Sequence, residues 1–317
     1  MTATIFIDGE AGTTGLRIRD RLAGRRDAQL LSLDHDRRKD PAARAEMLNR
    51  ADLSILCLPE EASRQAVAMV DNPDARLIDA SIAYRTQSDW VYGMAEYGSD
   101  QPAKIAAARR VSNPGCYACS SIAMVRPLVM AGIVPADFPV TLNAVSGYSG
   151  GGRKLIEAFE DPASPDHTDS PFYLYSLGLE HKHTEEIRVH GGLVRRPLFV
   201  PGVGRFAQGM IVSLPLQLWA LPGAPTPAQV HAALADHYAS GSMVTVAGLA
   251  ETAAMDTLDA EMLNGTDELR LHVFGNADHG QAVVAALLDN LGKGASGQAV
   301  QNMNLMCGLD QTAGLRR

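Results

Sequence analysis

The chain opens on a short apolar run, Thr4-Ile5-Phe6-Ile7, then a glycine-punctuated segment, Asp8 to Gly15, and then apolar positions at helical spacing from Leu16 to about Ala23. The pattern predicts a strand, a tight turn and a helix. Further strands are predicted at Leu30–Leu33, at the continuous apolar run Ser54–Pro59 and at Arg76–Ser81, with a helical pattern from Glu60 to Val70 between the last two. Short buried strands that alternate with helices predict an α/β fold built on a Rossmann-type, doubly wound parallel sheet.

After this region the pattern changes. Ser112-Asn113-Pro114-Gly115 disfavours a regular element, whereas the residues after Cys116 and Tyr117, SSIAMVRPLVMAGI, carry apolar positions at helical spacing, so Cys116 is predicted at a helix start. Strands are predicted at Val140–Ala144, Met210–Leu214, Val244–Val246 and Leu269–Phe274, and a helix over Ala228–Tyr238 with Pro227 near its first position. Gln281–Asn290 reads as an apolar helix; past the glycine-rich break at 292–297, Gln298–Met306 reads as another.

Composition narrows the class. At 317 residues the chain suits two domains, and 28 basic against 36 acidic residues, a net charge of −8 without a long basic run, leave nothing for nucleic acid to bind. No apolar stretch is long enough to span a membrane, no signal peptide is expected, and four cysteines in a chain this long fit a reducing cytoplasm. The expected partner is a small molecule.

Three glycines, Gly9, Gly12 and Gly15, with Thr13 and Thr14 between them, sit at the first strand-to-helix turn, where a pyrophosphate can approach bare backbone and a helix N-terminus. Beyond the second strand stand both acidic residues, Asp34 and Asp36, and cations, Arg37, Arg38 and Lys39. An acidic residue there takes the ribose of NAD and an arginine the 2′-phosphate of NADP; the three cations favour NADP, against the alternative of a solvated loop. Asp79 and Ser81 fall at a strand's carboxyl end, where such sheets bind ligands.

Cys116 is the candidate nucleophile. A helix N-terminus favours thiolate, but at roughly 0.3 to 1 kcal/mol it lowers a thiol pKa by about one unit or less, so a second group is needed. His181 and His183 precede a helix for which Thr184 is the predicted N-cap; in an extended chain the two imidazoles share a face and can supply that group. Ser146-Gly147-Tyr148-Ser149-Gly150-Gly151-Gly152, followed by Arg153 and Lys154, can cradle an anion or simply connect two elements. Arg205 is a further candidate cation. The glycine break that includes Gly292 and Gly294, just after Asn290, offers backbone donors to a nucleotide or is merely a corner. A zinc site from Cys116, Cys119, His181 and His183 is the alternative, but the HxH spacing is tighter than in zinc fingers and a second CxxC is missing, so no metal is expected.

Taken together, GEAGTTG, SNPGCY, SGYSGGGR, HKHTEEI and NLGKGASGQAVQN resemble the semialdehyde dehydrogenase group and, within it, the shorter form of the N-acetyl-γ-glutamyl-phosphate reductases, in order along nearly the whole chain. The resemblance implies reversible, NADPH-dependent reduction of an acyl phosphate to an aldehyde in arginine biosynthesis, with an aspartate-semialdehyde-type reductase or a non-enzymatic dinucleotide- or zinc-binding module as alternatives. It further implies a Rossmann domain (1–115), an α+β catalytic and dimerisation domain (116–280) and C-terminal helices (281–317) that return to the first, in a homo-oligomer, dimer or tetramer. On this reading Cys116 carries the acyl group and His183, with His181 beside it, moves the proton. Asn113, Ser146, Gly147, Arg153 and Arg205 hold the substrate, and Gly9, Gly12, Thr13, Thr14, Gly15, Arg37, Arg38, Ser81, Asn290, Gly292 and Gly294 hold NADP. Two departures stand out: Cys119 and Ser120 replace the usual Thr-Gly after the nucleophile, and Glu185 replaces a proline after the histidines.

Overall fold

A computed structural model describes residues 2–317. The chain forms two compact units, the first comprising residues up to Ala95, Ser99–Gly115 and Ala295–Arg316, the second Glu96–Gly98, Cys116–Gly294 and Arg317. The first unit contains β1 (Ala3–Asp8), α1 (Thr13–Leu22), β2 (Ala28–Leu31), α2 (Pro41–Arg50), β3 (Leu53–Leu56), α3 (Glu60–Ala68), β4 (Arg76–Asp79), β5 (Val91–Tyr92), α4 (Gln101–Ala107) and β6 (Arg110–Ser112). Its sheet runs β2-β1-β3-β4-β6-β5, and every pairing is parallel. Alternate residues of one strand serve opposite faces: Ile5 and Ile7 pack with Ile18 and Ile105, while Phe6 packs with Ala43 and Leu48. Burial on both faces is why these strands read as unbroken apolar runs.

The second unit contains α5 (Cys116–Met130), β7 (Thr141–Gly147), α6 (Gly152–Glu160), β8 (Phe172–Leu174), α7 (Thr184–Gly191), β9 (Leu198–Gly204), β10 (Met210–Gln217), α8 (Pro227–His237), β11 (Val244–Val246), α9 (Leu249–Ala253), β12 (Leu269–Asn276) and β13 (Gln281–Leu288). Its mixed sheet runs β11-β12-β13-β10-β7-β9-β8. Helix α5 lies against β10 and β13 between α7 and α8, and Tyr117 to Leu128 are all buried except Arg126. Pro127, inside α5, cannot donate to the carbonyl of Ala123 one turn back. The Tyr238 hydroxyl donates to that carbonyl instead, at 2.9 Å, so the helix continues.

Three expectations are corrected. Gln281–Asn290 is not a helix: residues 281–288 form β13, paired antiparallel with both β10 and β12. A strand buried at a sheet's centre has an unbroken apolar pattern that periodicity alone cannot separate from a buried helix. Residues 281–294 therefore belong to the second unit, and the chain re-enters the first at Ala295, where α10 (Gly297–Met306) packs Val300 and Met303 into the core around Ile5 and Ile18. The stretch before α7 is not extended either. His183 itself is the N-cap, with helical backbone angles, and Thr184 donates its N–H to the His181 carbonyl in a turn.

Tyr238→Phe should lower stability by about 1–3 kcal/mol, because it leaves the buried Ala123 carbonyl without a donor beside Pro127. Urea unfolding of the two proteins measures this, and equal midpoints would show that α5 does not need the hydroxyl.

Candidate active site

In the first unit the turn after β1 is shaped by glycine. Gly9 has φ +88°, and a Cβ on Gly15 would lie 2.5 Å from the Gly9 carbonyl oxygen, so neither position accepts a side chain without shifting backbone. Gly12 is the N-cap of α1 and has no side chain to cap it, with Thr13 and Thr14 opening the helix. Beside this turn lies a pocket of about 610 Å³ whose wall includes Gly9, Glu10, Arg38, Lys39 and Arg44. Arg38 pairs with Glu10 at 2.8 Å while its buried Nε has no partner, and Arg44 pairs with Asp8 at 2.8 Å. Arg37 is about half-exposed and lies 3.9 Å from Glu46.

Ser81 is engaged elsewhere. Its hydroxyl donates to Asp79 at 2.7 Å and accepts the N–H of Ala83 at 3.0 Å; burial pushes the Asp79 carboxyl up, opposed by hydrogen bonds from Ser63 and Ser81. Asn113 is also tied in: its amide donates to the Ala295 carbonyl at 3.2 Å and its Oδ1 accepts from Asn302 at 3.0 Å.

In the second unit Cys116 is the first residue of α5 and is half-buried. The other cysteines differ from it in kind. Burial pushes Cys57 and Cys119 up to about 12 and Cys307 up to about 11, so none is a thiolate near neutral pH. Among the described residues no cluster of three or more His, Cys, Asp and Glu is arranged to hold a metal.

His181 and His183 are both buried, and Tyr117, next to the thiol, meets them edge-on at 5.8 and 6.0 Å between ring centres and Phe199 at 5.2 Å. His181 Nδ1 accepts the backbone N–H of His183 at 3.1 Å, which puts the proton of the neutral ring on Nε2, 3.3 Å from the Tyr175 hydroxyl. Burial, helped by Lys182, lowers the His181 pKa to about 4. His181 is therefore a neutral ring at pH 7 that props the turn presenting His183. Tyr117 and Tyr175 complete the arrangement; SNPGCY could have pointed to the first, while nothing local marks the second.

The predicted substrate residues are spread more widely. Ser146 is buried, and Gly147 is pressed so closely by the loop at 206–208 that a Cβ would lie 2.6 Å from the Ala207 carbonyl oxygen. The N–H groups of Gly147, Tyr148 and Ser149 donate to the backbone of Gly209, Phe206 and Ala207, so this part of the glycine-rich loop is committed to packing. Arg153 is exposed and paired with Glu157 at 2.6 Å; Arg205 pairs with Asp169 at 3.0 Å.

Asn290 joins two loops, accepting from Gly209 N–H at 2.9 Å and donating to Ser149 at 3.0 Å. Gly292 and Gly294 both donate backbone N–H to the Asp289 carbonyl. A Cβ on Gly294 would lie 2.8 Å from the Cβ of Cys116, so this turn forms a wall of the thiol site.

The sequence profile of the semialdehyde dehydrogenase NAD binding domain matches residues 9–105, and that of the semialdehyde dehydrogenase dimerisation domain matches residues 116–290. The chain belongs to the semialdehyde dehydrogenase family. Relatives named N-acetyl-γ-glutamyl-phosphate reductase include one from Burkholderia lata, 52% identical over 311 residues and covering 98% of both chains. Another, from Brucella ovis, is 53% identical over 309 residues, 97% of this chain and 100% of the relative. Among solved structures, aspartate semialdehyde dehydrogenase II from Vibrio cholerae aligns over 96% of this chain and 98% of its own, with TM-score 0.68 and 13% identity. The aspartate semialdehyde dehydrogenase of Francisella tularensis aligns over 95% and 99%, with TM-score 0.69 and 12% identity. At such identities the family's two-domain fold is what is shared.

The depressed His181 pKa has a sign that can be checked. Between pH 6.5 and about 4 the unfolded chain protonates this ring while the folded one does not, so stability falls as pH falls through that window. His181→Gln should flatten that part of the pH–stability curve in denaturant titrations; an unchanged slope would mean that the folded ring protonates normally.

Proposed function

We propose that the chain is an N-acetyl-γ-glutamyl-phosphate reductase, which converts N-acetyl-γ-glutamyl phosphate to N-acetylglutamate 5-semialdehyde and phosphate with NADPH, in arginine biosynthesis. The observation that carries this reading is a half-buried thiol at the head of buried α5, walled by Gly294, with two buried histidines packed on the ring of the adjacent Tyr117, in a chain more than half identical to reductases of that name. The match to a dimerisation domain supports a homo-oligomer, for which we propose a dimer or tetramer in the cytoplasm.

The first unit fits a phosphorylated dinucleotide. The bare N-cap Gly12, with Thr13 and Thr14, would take the pyrophosphate, and Arg38, with its unpartnered Nε, would take the 2′-phosphate together with Lys39. Arg37 and Ser81 stay as outlying candidates, as do Asn290, Gly292 and Gly294 in the second unit. When bound, the reduced nicotinamide supplies hydride to the acyl carbon.

The chemistry assigned to the chain starts at Cys116. Its thiolate attacks the acyl carbon, the carbon–oxygen bond to phosphate breaks with its electron pair on the leaving group, and a thioester remains. After hydride addition the alkoxide collapses, the carbon–sulfur bond breaks, and aldehyde and thiolate separate. The proton consumed overall goes to the departing phosphate, and His183 is assigned to deliver it and to hydrogen-bond the alkoxide; His181, neutral, holds it in place. The α5 N-terminus and Asn113 are proposed to stabilise the oxyanion. Arg153 and Arg205 are proposed for the substrate phosphate and carboxylate, each exchanging its present partner, Glu157 or Asp169, for the ligand.

Cys116→Ser should cut turnover about a thousandfold or more while leaving NADPH binding, read by fluorescence, unchanged. With N-acetylglutamate semialdehyde, NADP and limiting phosphate, mass spectrometry should find the acyl group on the Cys116 peptide. Near-normal turnover of the variant, or a preference for aspartate semialdehyde, would overturn the reading.

A further inference from the structure

Lys293 is the largest fully buried side chain, 1% exposed, with its ammonium 2.8 Å from Glu96 Oε2. Glu96 is itself 4% exposed and is fixed from its other side by the N–H of Met243, which donates to Oε1 at 3.2 Å. A lysine is almost never buried this completely without a reason, because its desolvation is costly even when paired. Its location supplies one. Lys293 immediately precedes Gly294, the residue whose backbone walls Cys116, and the same turn is tied to Asp289 by the N–H groups of Gly292 and Gly294.

We propose that Lys293, clamped by Glu96, is a positioning residue for Cys116: it pins the turn that walls the thiol and places a positive charge in the interior behind the head of α5. This rests on the reading of Cys116 as the nucleophile. The ionisable groups around that head are Tyr117 and Cys119 on α5, His181 and His183 before α7, Glu186 on α7, Tyr175 after β8, and Lys293 with Glu96. Burial holds Tyr117, Tyr175, Cys119 and His181 neutral at pH 7, and the Lys293–Glu96 ion pair lies among them. At Cys119, one turn along α5, Lys293 acts more strongly than either Glu96 or Glu186 taken singly.

The test reads the thiol itself, without turnover. Iodoacetamide alkylation of Cys116 is followed against pH in the full-length protein, with Cys116→Ser as the blank. Lys293→Met should raise the midpoint by about one pH unit and slow alkylation at pH 7 about tenfold, with NADPH binding retained. Lys293→Arg, which keeps the cation, should move the midpoint back toward the wild-type value. Because Lys293→Met leaves Glu96 buried without its cation, the double variant Lys293→Met/Glu96→Gln is measured in parallel and should shift the same way. A wild-type pH profile in a folded Lys293→Met or double variant would overturn the proposal. So would failure of the double variant to fold, which would assign the pair to stability alone. Neither result depends on Cys116 forming a thioester, which the turnover of Cys116→Ser and the mass measurement on the unaltered protein test separately.

Discussion

Backbone and thiol come together at one point, where Gly294 passes Cys116 so closely that not even a methyl group fits between them. Much of the second unit serves to hold that approach. The turn leaves β13, a strand paired on both sides along its whole length, so its starting point is rigid. The Asp289 carboxylate accepts from Leu291 and Gly265 N–H at 2.8 and 2.9 Å and from the Gln208 amide, while Asn290 ties the loops at 149 and 209 together. Lys293 then anchors the turn to Glu96. On the other side α5 is held by burial along nearly its whole length, with Tyr238 supplying the donor that Pro127 lacks. Both walls around the Cys116 thiol are therefore built on rigid elements, a paired strand and a buried helix.

The same packing sorts the ionisable groups. Three of the four cysteines are pushed out of the reactive range by burial, each with nearby carboxylates adding to the effect, whereas Cys116 sits at a helix head with partial access to solvent. His181 gives its Nδ1 to the backbone N–H of His183 and is held neutral by burial, so its ring braces the turn before α7. Tyr117 packs against both rings and anchors its own hydroxyl on the Gly202 carbonyl at 3.0 Å, which connects α5 to β9.

Local chemistry was legible where it was punctuated. The turn after β1, the break before Cys116 and the Pro-opened helix α8 each carry residues whose backbone preferences act within a few positions, and the elements begin where those residues stand. Three kinds of feature were not legible. A central strand such as β13 has the same apolar pattern as a buried helix. Strand β9 contains Pro201 and Gly202, which read as loop residues although they pair with Ala144 and Val145. The pairing of Lys293 with Glu96 joins residues nearly two hundred positions apart, and no local pattern encodes a partner at that distance.

The two departures from the family's pattern are both absorbed by neighbouring chemistry. Where the pattern has a proline after the histidines, this chain has Glu185 in the first turn of α7, paired with Arg188 at 2.6 Å. A proline would preset the helical backbone there; a carboxylate instead stabilises the same turn through the positive end of the helix dipole, worth about 0.3–1 kcal/mol. Cys119 lies one turn beyond Cys116 and is wholly buried, where a threonine hydroxyl would need a hydrogen-bond partner. A thiol makes no such demand and stays protonated at about 12, so it leaves the charge balance around Lys293 and Glu96 untouched. Both substitutions change how the walls of the site are built and leave the position of the sulfur and of the His183 backbone to the same strands and helices.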